Sequence, residues 1–375
     1  MGKMYATREE PKKAFLIRIR DERLSAEEAE SRAAELVRLV QTLGLEIAAQ
    51  ETVAVREGTA KFGTGSGKAQ ELAEAAAEKG ADCLVLDWDP SPSQQRNWET
   101  LTGLPAMDRQ ELIIRIFADR AATREAELQV RLAELSWSLP RLSHKYIDLS
   151  RQRGGRYGTR GAGETRRETD RRLVEKQIHR LKQELAELRK QRAVQRQGRE
   201  KKGLPSCALV GYTNAGKSSL LNRMTGAGVY VEDRLFATLD ATTRRLDTGD
   251  NRPFLITDTV GFIRQLPHSL IDAFRSTLEE LCLSDLLIQV LDASDPSIES
   301  CHQTTLSVLR ELGAGRVPMI TVLNKADRFT DGRVPEGLLK RFPASIAVSA
   351  KTGTGLDRLL AEIKRNLSSP ASFTV

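Results

Sequence analysis

Two apolar rhythms alternate along the first hundred residues. Phe15-Leu16-Ile17-Arg18-Ile19 has the compact apolar pattern of a strand. Ser25-Ala26-Glu27-Glu28 follows as a capping box, and apolar positions at helical spacing carry the helix to about Thr42. Leu45 to Val55 predicts a second strand, Lys68 to Lys79 a second helix, and Cys83 to Asp87 a buried third strand. This βαβαβ order predicts a small α/β domain over residues 1–105.

The period then changes. Asp108-Arg109-Gln110-Glu111 is another helix-start signal, and the helical pattern runs to Leu139, just before Pro140. Leu128, Leu132, Leu135 and Leu139 repeat at four-three-four spacing, as do Val174, Ile178, Leu181, Leu185 and Leu188 farther on. Two such helices predict an antiparallel helical hairpin over 106–202, joined by a loop at 141–163. From residue 203 to 375, apolar strands again alternate with helices, predicting a mostly parallel doubly wound sheet closed by a C-terminal helix.

Charge changes the picture of the hairpin. The chain carries 58 Lys+Arg against 51 Asp+Glu, a net charge of +7. Residues 141–202 alone hold 20 Lys+Arg against 8 Asp+Glu, so the rest of the chain is slightly acidic. Within that segment the run RQRGGRYGTRGAG has five glycines and four arginines in 13 residues. Its ordinary reading is a solvated loop. Arg151, Arg153, Arg156 and Arg160, with Tyr157 as a stacking ring, also suit contact with irregular RNA. The charge asymmetry favours a polyanionic partner.

The four cysteines are dispersed and the four histidines form no cluster, which points away from a disulfide framework or a zinc site. No run of about 18 apolar residues occurs, so membrane insertion is not expected and a cytoplasmic location is.

The third region carries the chemistry. Gly211-Tyr212-Thr213-Asn214-Ala215-Gly216-Lys217-Ser218, with Ser219 behind it, follows the strand Ser206 to Val210 and opens a helix. In that setting G-x-x-x-x-G-K-[ST] cradles phosphates on backbone N–H groups. Lys217 is placed for the β- and γ-phosphates, and the Ser218 hydroxyl for Mg²⁺. Asp258-Thr259-Val260-Gly261 ends another apolar strand; Asp258 suits the magnesium shell through water, and the Gly261 N–H suits the γ-phosphate. Phe236 and Thr238 lie between, in a loop where Thr238 would complete the metal's coordination. Lys217, Thr238 and Gly261 are the candidate catalytic positions.

Farther on, Asn324-Lys325-Ala326-Asp327 ends the strand Met319 to Leu323. A carboxylate at Asp327 can accept two N–H groups from guanine, a donor pair adenine lacks. Ser349-Ala350-Lys351 follows one more strand, placed for a backbone contact to the guanine carbonyl. Each piece is short; all five in order at strand ends predict a GTP/GDP site. Phe262 stands where many switches carry a water-orienting Gln, so slow intrinsic turnover is expected. These motifs resemble the translation-factor-related class of P-loop GTPases, and that resemblance makes Asn214 a candidate K⁺ ligand; equally, it is a residue that merely shapes the turn.

Together with FGTGSGKAQELAE, SPSQQRNWE, GGRYGTRGAGETRRETDRR, FATLDATTR and DTVGFI, these stretches resemble the HflX family of ribosome-associated P-loop GTPases across nearly the whole chain. The resemblance implies binding to the large (50S) ribosomal subunit and its RNA through the hairpin loop, and GTP-driven splitting or rescue of stalled or idle ribosomes under stress. A monomer is expected. An rRNA- or tRNA-maturation GTPase, or a regulatory switch, is the alternative. Two departures stand out: Ala241 replaces the family's usual Pro, and the 24 residues after Lys351 give room for one helix, not the extra C-terminal domain of some members. Phe62-Gly63-Thr64-Gly65-Ser66-Gly67-Lys68 lacks phosphate-loop spacing and is read as a strand-to-helix turn. Residues 93–98 are expected either in packing or on RNA.

Overall fold

A computed structural model of the chain describes residues 12–20, 25–54, 61–142, 162–200, 204–226, 235–236, 239, 241–247, 253–264, 270, 274, 278 and 280–368. It divides into two compact units, residues 1–116 with 134–178, and residues 117–133 with 179–375.

In the first unit, four parallel strands stand in the order β2-β1-β3-β4. They are β1 (Lys13–Arg20), β2 (Glu46–Ala54), β3 (Cys83–Leu86) and β4 (Ala106–Asp108). The expected capping box is present: Ser25 caps α1 (Ala26–Thr42), and Glu28 returns to the Ser25 N–H. Helices α2 (Ser66–Glu78) and α3 (Pro92–Thr102) complete the unit's α/β layers. Phe15, Ile17, Leu84, Leu86 and Trp98 lie in one buried cluster. Trp98 is a core residue, its indole N–H donating to the Phe62 carbonyl at 2.9 Å. Gly63 has a left-handed φ of 74°, and a side chain there would meet the Trp88 indole at 3.1 Å. The glycine-rich stretch is thus a turn packed on tryptophan.

Strand β4 was not expected. It is three residues long, too short to show a period of two, and Asp108 belongs to it while also starting the next helix. The Asp108 Oδ1 accepts from the Glu111 N–H at 2.7 Å, opening α4 (Arg109–Arg120).

The expected continuous helix to Leu139 is in fact two helices. The chain breaks at 121–123, where the Thr123 hydroxyl accepts from the Ala126 N–H and opens α5 (Arg124–Leu142). Pro140 does not end α5; Arg141 stacks over Trp137 at 3.9 Å and reaches Asp108 at 2.5 Å, holding the last turn. Helix α6 spans Ala162–Glu200. Near its middle, Glu184 lies 3.4 Å from Arg124 of α5. Arg151, Arg153, Arg156, Tyr157 and Arg160 lie outside the described residues.

The second unit holds a six-stranded sheet in the order β10-β9-β8-β5-β7-β6. Strands β5 (Ser206–Gly211), β7 (Phe254–Asp258), β8 (Leu286–Asp292), β9 (Met319–Asn324) and β10 (Ile346–Ala347) run parallel. Only the edge strand β6 (Thr242–Leu246) runs antiparallel, against β7. The expected doubly wound fold is therefore present. Strands β5 and β8 are almost entirely buried, which is why they read as unbroken apolar runs. Helices α7 (Lys217–Thr225), α8 (Ile298–Glu311), α9 (Glu336–Arg341) and α10 (Leu356–Ser368) cover the sheet; α10 buries Leu359 and Ile363.

Among the described residues all four cysteines are free, no group of His, Cys, Asp and Glu is arranged to hold a metal, and no helix is long and apolar enough to cross a membrane.

Candidate functional site

The carboxyl ends of β5, β7, β9 and β10 bring four of the five sequence motifs to one side of the sheet, where ligands of doubly wound folds bind. Sterics shape the loop after β5. A Cβ on Gly211 would lie 2.2 Å from the Val290 carbonyl, and one on Gly216 2.3 Å from the Asn324 amide nitrogen. Both residues have positive φ, as does Asn214 at 60°. Only glycine fits the first two positions.

Lys217 opens α7 and is buried, its ammonium donating to the Gly211 and Tyr212 carbonyls at 3.2 and 3.0 Å. Burial pulls its pKa down to about 8, and the neighbouring Asp258 carboxylate offsets only part of that. A cation held under a glycine-walled loop by two carbonyls suits a polyanion. The Ser218 hydroxyl donates to the Asp258 Oδ2 at 2.5 Å, and Asp258 is fully buried at the end of β7. One hydroxyl and one carboxylate beside a phosphate cradle are the oxygen donors a hard divalent cation takes. Ser219 follows in α7, half-buried.

The loop after β7 is tied to the phosphate loop. The Thr213 N–H donates to the Phe262 carbonyl at 2.8 Å, and the Phe262 N–H to the Gly211 carbonyl at 3.0 Å. A Cβ on Gly261 would come within 2.8 Å of the Thr213 Cα. The Phe262 ring is 1% exposed and belongs to the interior. Two more residues brace this contact. Thr259 donates to the Leu209 carbonyl at 2.7 Å, and the Tyr212 hydroxyl accepts from the Arg264 N–H at 2.8 Å.

The other end of the site is organised by Asn324. Its side-chain amide donates to the Ala215 carbonyl at 2.9 Å, while its carbonyl oxygen accepts from the Ala350 N–H at 3.0 Å. Asp327 accepts from the Ser349 hydroxyl at 2.5 Å, so the two guanine motifs are bonded to each other. Ser349 is buried; Lys351 beyond it is exposed. Lys325 has a left-handed φ of 63°, and its ammonium pairs with Asp292 at 2.8 Å. Sequence reasoning passed over Asp292, Thr259 and Arg264. Asp292 at the end of β8 had a signal, an Asp closing an apolar strand as Asp258 does; the other two show only in three dimensions.

Phe236 is buried with φ at 56°, its ring packed edge-to-face against Phe117. Thr238 lies outside the described residues.

Models of three protein families match consecutive stretches: GTP-binding GTPase N-terminal over residues 30–118, GTP-binding GTPase middle region over 120–199, and 50S ribosome-binding GTPase over 206–325. The chain is 46% identical over 373 residues to the GTPase HflX of Akkermansia muciniphila, covering 95% of this chain and 85% of that one. It is 42% identical over 332 residues to the GTPase HflX of Escherichia coli, covering 88% and 78%. Among solved structures it is similar to a GTP-binding protein from Sulfolobus solfataricus in complex with GDP, at 26% identity and a TM-score of 0.46 over 95% of this chain and 98% of that one. Glycine-walled loop, buried lysine and paired guanine motifs all sit on a sequence that matches such relatives nearly from end to end, and the chain belongs to the GTPase HflX family, whose reaction is GTP hydrolysis.

Proposed function

We propose that this GTPase binds the large ribosomal subunit and its RNA, and uses GTP binding and hydrolysis to split or rescue stalled or idle ribosomes, acting as a cytoplasmic monomer under stress. One observation carries the reading: the positive charge of the chain is concentrated in residues 141–202, on and beside the long helix α6. A nucleotide switch that met only other proteins would have no use for such a surplus. Family membership, and the ribosome-binding description of the model matching residues 206–325, support the same partner. Arg151, Arg153, Arg156, Tyr157 and Arg160 are the proposed RNA contacts.

At the nucleotide, the N–H groups of Gly211 to Ser219 and the Lys217 ammonium hold the phosphates, and Asp327, with the Ser349 to Lys351 backbone, reads guanine. Ser218 and Thr238 would ligate Mg²⁺ directly, with Asp258 acting through water; the hydrogen bond between the Ser218 hydroxyl and Asp258 supports this reading. When bound, the ion neutralises charge on the transferring phosphoryl group. The Gly261 N–H would contact the γ-phosphate. With the Phe262 ring buried, no side chain at that position orients water, so turnover is slow without the ribosome or a monovalent cation. Asn214 would hold K⁺ beside the phosphates, and turnover in KCl against NaCl tests this.

Only a difference in affinity between nucleotide states can drive release. Co-sedimentation with 50S subunits should therefore be strong with a non-hydrolysable GTP analogue, weak with GDP, and lost steeply with salt. Light scattering of 70S ribosomes should fall when protein and GTP are added. Binding that ignores nucleotide state overturns the proposal. Binding to free precursor RNA but not to subunits would favour the maturation reading.

A further inference from the structure

Tyr212 is the second residue of the phosphate loop, and it is gripped from two sides. Its carbonyl accepts from the Lys217 ammonium at 3.0 Å, and its hydroxyl accepts from the Arg264 N–H at 2.8 Å. The same residue forms a parallel bridge to Phe262. Around that bridge the Phe262 N–H donates to the Gly211 carbonyl at 3.0 Å, and the Thr213 N–H to the Phe262 carbonyl at 2.8 Å. A parallel ladder would continue with the Arg264 N–H donating to the Thr213 carbonyl. The phosphate loop turns away at that point, Asn214 having a φ of 60°. The Tyr212 hydroxyl takes that N–H instead. A side chain thus adds one rung where the backbone leaves.

That rung is consequential because of what lies beside it. A Cβ built on Gly261 would stand 2.9 Å from the Lys217 Nζ and 2.8 Å from the Thr213 Cα. Gly261 and the ammonium are therefore close neighbours, and Tyr212 sets their spacing. Its carbonyl locates the lysine, and its hydroxyl locates the chain just past Gly261. Tyr212 and Arg264 are each 8% exposed, so water does not stand ready to replace a lost acceptor. A buried N–H left without an acceptor costs more than the bond itself contributes, and the segment would shift to satisfy it.

We propose that Tyr212 is a positioning residue for GTP hydrolysis: its hydroxyl fixes the segment after Gly261, and so the gap between Gly261 and Lys217 that the γ-phosphate fills. The proposal rests on the reading that the Gly261 N–H contacts the γ-phosphate. The hydroxyl touches no reacting group itself. Because GDP has no γ-phosphate, the effect belongs to triphosphate binding and turnover. A misplacement of about 1 Å at a reacting centre costs about a hundredfold in rate, and one hydrogen bond governs somewhat less than that.

The test compares full-length Tyr212→Phe, which removes the hydroxyl alone, with Gly261→Ala. Single-turnover hydrolysis is read beside affinity for fluorescent GDP and for a fluorescent non-hydrolysable GTP analogue, all with Mg²⁺. Hydrogen exchange of peptides spanning 259–264 reports whether the segment is released. Tyr212→Phe should slow hydrolysis by about five- to fiftyfold and weaken the analogue by up to about tenfold. GDP affinity should stay within about twofold, and exchange over 259–264 should rise. Hydrolysis or exchange at the wild-type level overturns the proposal. So do equal losses for both nucleotides, which would reduce the hydroxyl to packing of the whole loop. Loss of triphosphate preference in Gly261→Ala with none in Tyr212→Phe overturns the inference alone. Preference retained in Gly261→Ala overturns the reading of Gly261 beneath it.

Discussion

The Ser218 hydroxyl lies 2.5 Å from the Asp258 Oδ2, joining the first turn of α7 to the end of β7. The two oxygens come from segments forty positions apart and converge on one point beside Lys217. Removing the Ser218 hydroxyl should weaken Mg²⁺ far more than it weakens the fold, because Ser218 is only half-buried. Ser218→Ala should lower kcat for GTP by on the order of 10²–10³, as loss of one charge-stabilising contact does elsewhere. Turnover titrated with MgCl₂ checks it, the variant requiring more metal.

The Asp327 Oδ1 accepts from the Ser349 hydroxyl at 2.5 Å, which fixes the carboxylate beside Ser349. Asp327→Asn replaces one acceptor by a donor, which opposes the guanine amino group and matches a carbonyl at the same ring position. GTP affinity should fall by at least about two orders of magnitude, the size expected when a buried polar pair is mismatched. Xanthosine triphosphate should become the better ligand, and competition binding between the two nucleotides measures the reversal.

Lys217 supplies a pH signature. Its pKa stands at about 8 because burial disfavours the ammonium. Bound phosphates favour the charged form and raise it, so at pH 8.5–9 nucleotide binding should take up a proton, up to about one per site, and near pH 6.5 none. Calorimetry in buffers of different ionisation enthalpy reads that number. The sign for stability also follows. The unfolded chain, with an ordinary lysine, holds more protons between pH 8 and 10.5, so this group makes the nucleotide-free fold more stable as pH rises through that window.

Phe262 gives a prediction of the opposite kind to the usual one. Restoring a water-orienting amide by Phe262→Gln should not raise turnover, since the side chain is buried, not directed at the phosphates. It should instead cost about 1–3 kcal/mol of stability, the penalty for an amide taken from water into an apolar site. Thermal unfolding beside single-turnover hydrolysis separates the two effects.

Much of this was legible beforehand, for physical reasons that differ by element. Local chemistry is written in the sequence: Ser25 and Glu28 cap α1 reciprocally, and buried strands such as β8 read as apolar runs. The nucleotide motifs are legible because few residue types satisfy the close backbone approaches at Gly211 and Gly216. Tertiary overrides are not. Strand β4 borrows its partner from β3, α5 continues past Pro140 because Arg141 is anchored on Asp108, and the 121–123 break interrupts a periodicity that continues across it. The cap at Thr123 was visible in principle, a Thr placed just ahead of an acidic first turn. Asp292, which pins Lys325, depends on a neighbouring strand and could be named only as a strand-end acid.

Asn324 spans the cleft with a single amide group, one atom on the phosphate loop and the other on the loop beside the base. A nucleotide bound as proposed would therefore not rest on two separate grips that can loosen in turn. A disturbance at the base would be felt at the phosphates through this one amide, and departure of the purine should loosen the anionic tail in the same event. Dissociation of GDP would then follow a single exponential, with one barrier governing how long each nucleotide cycle lasts.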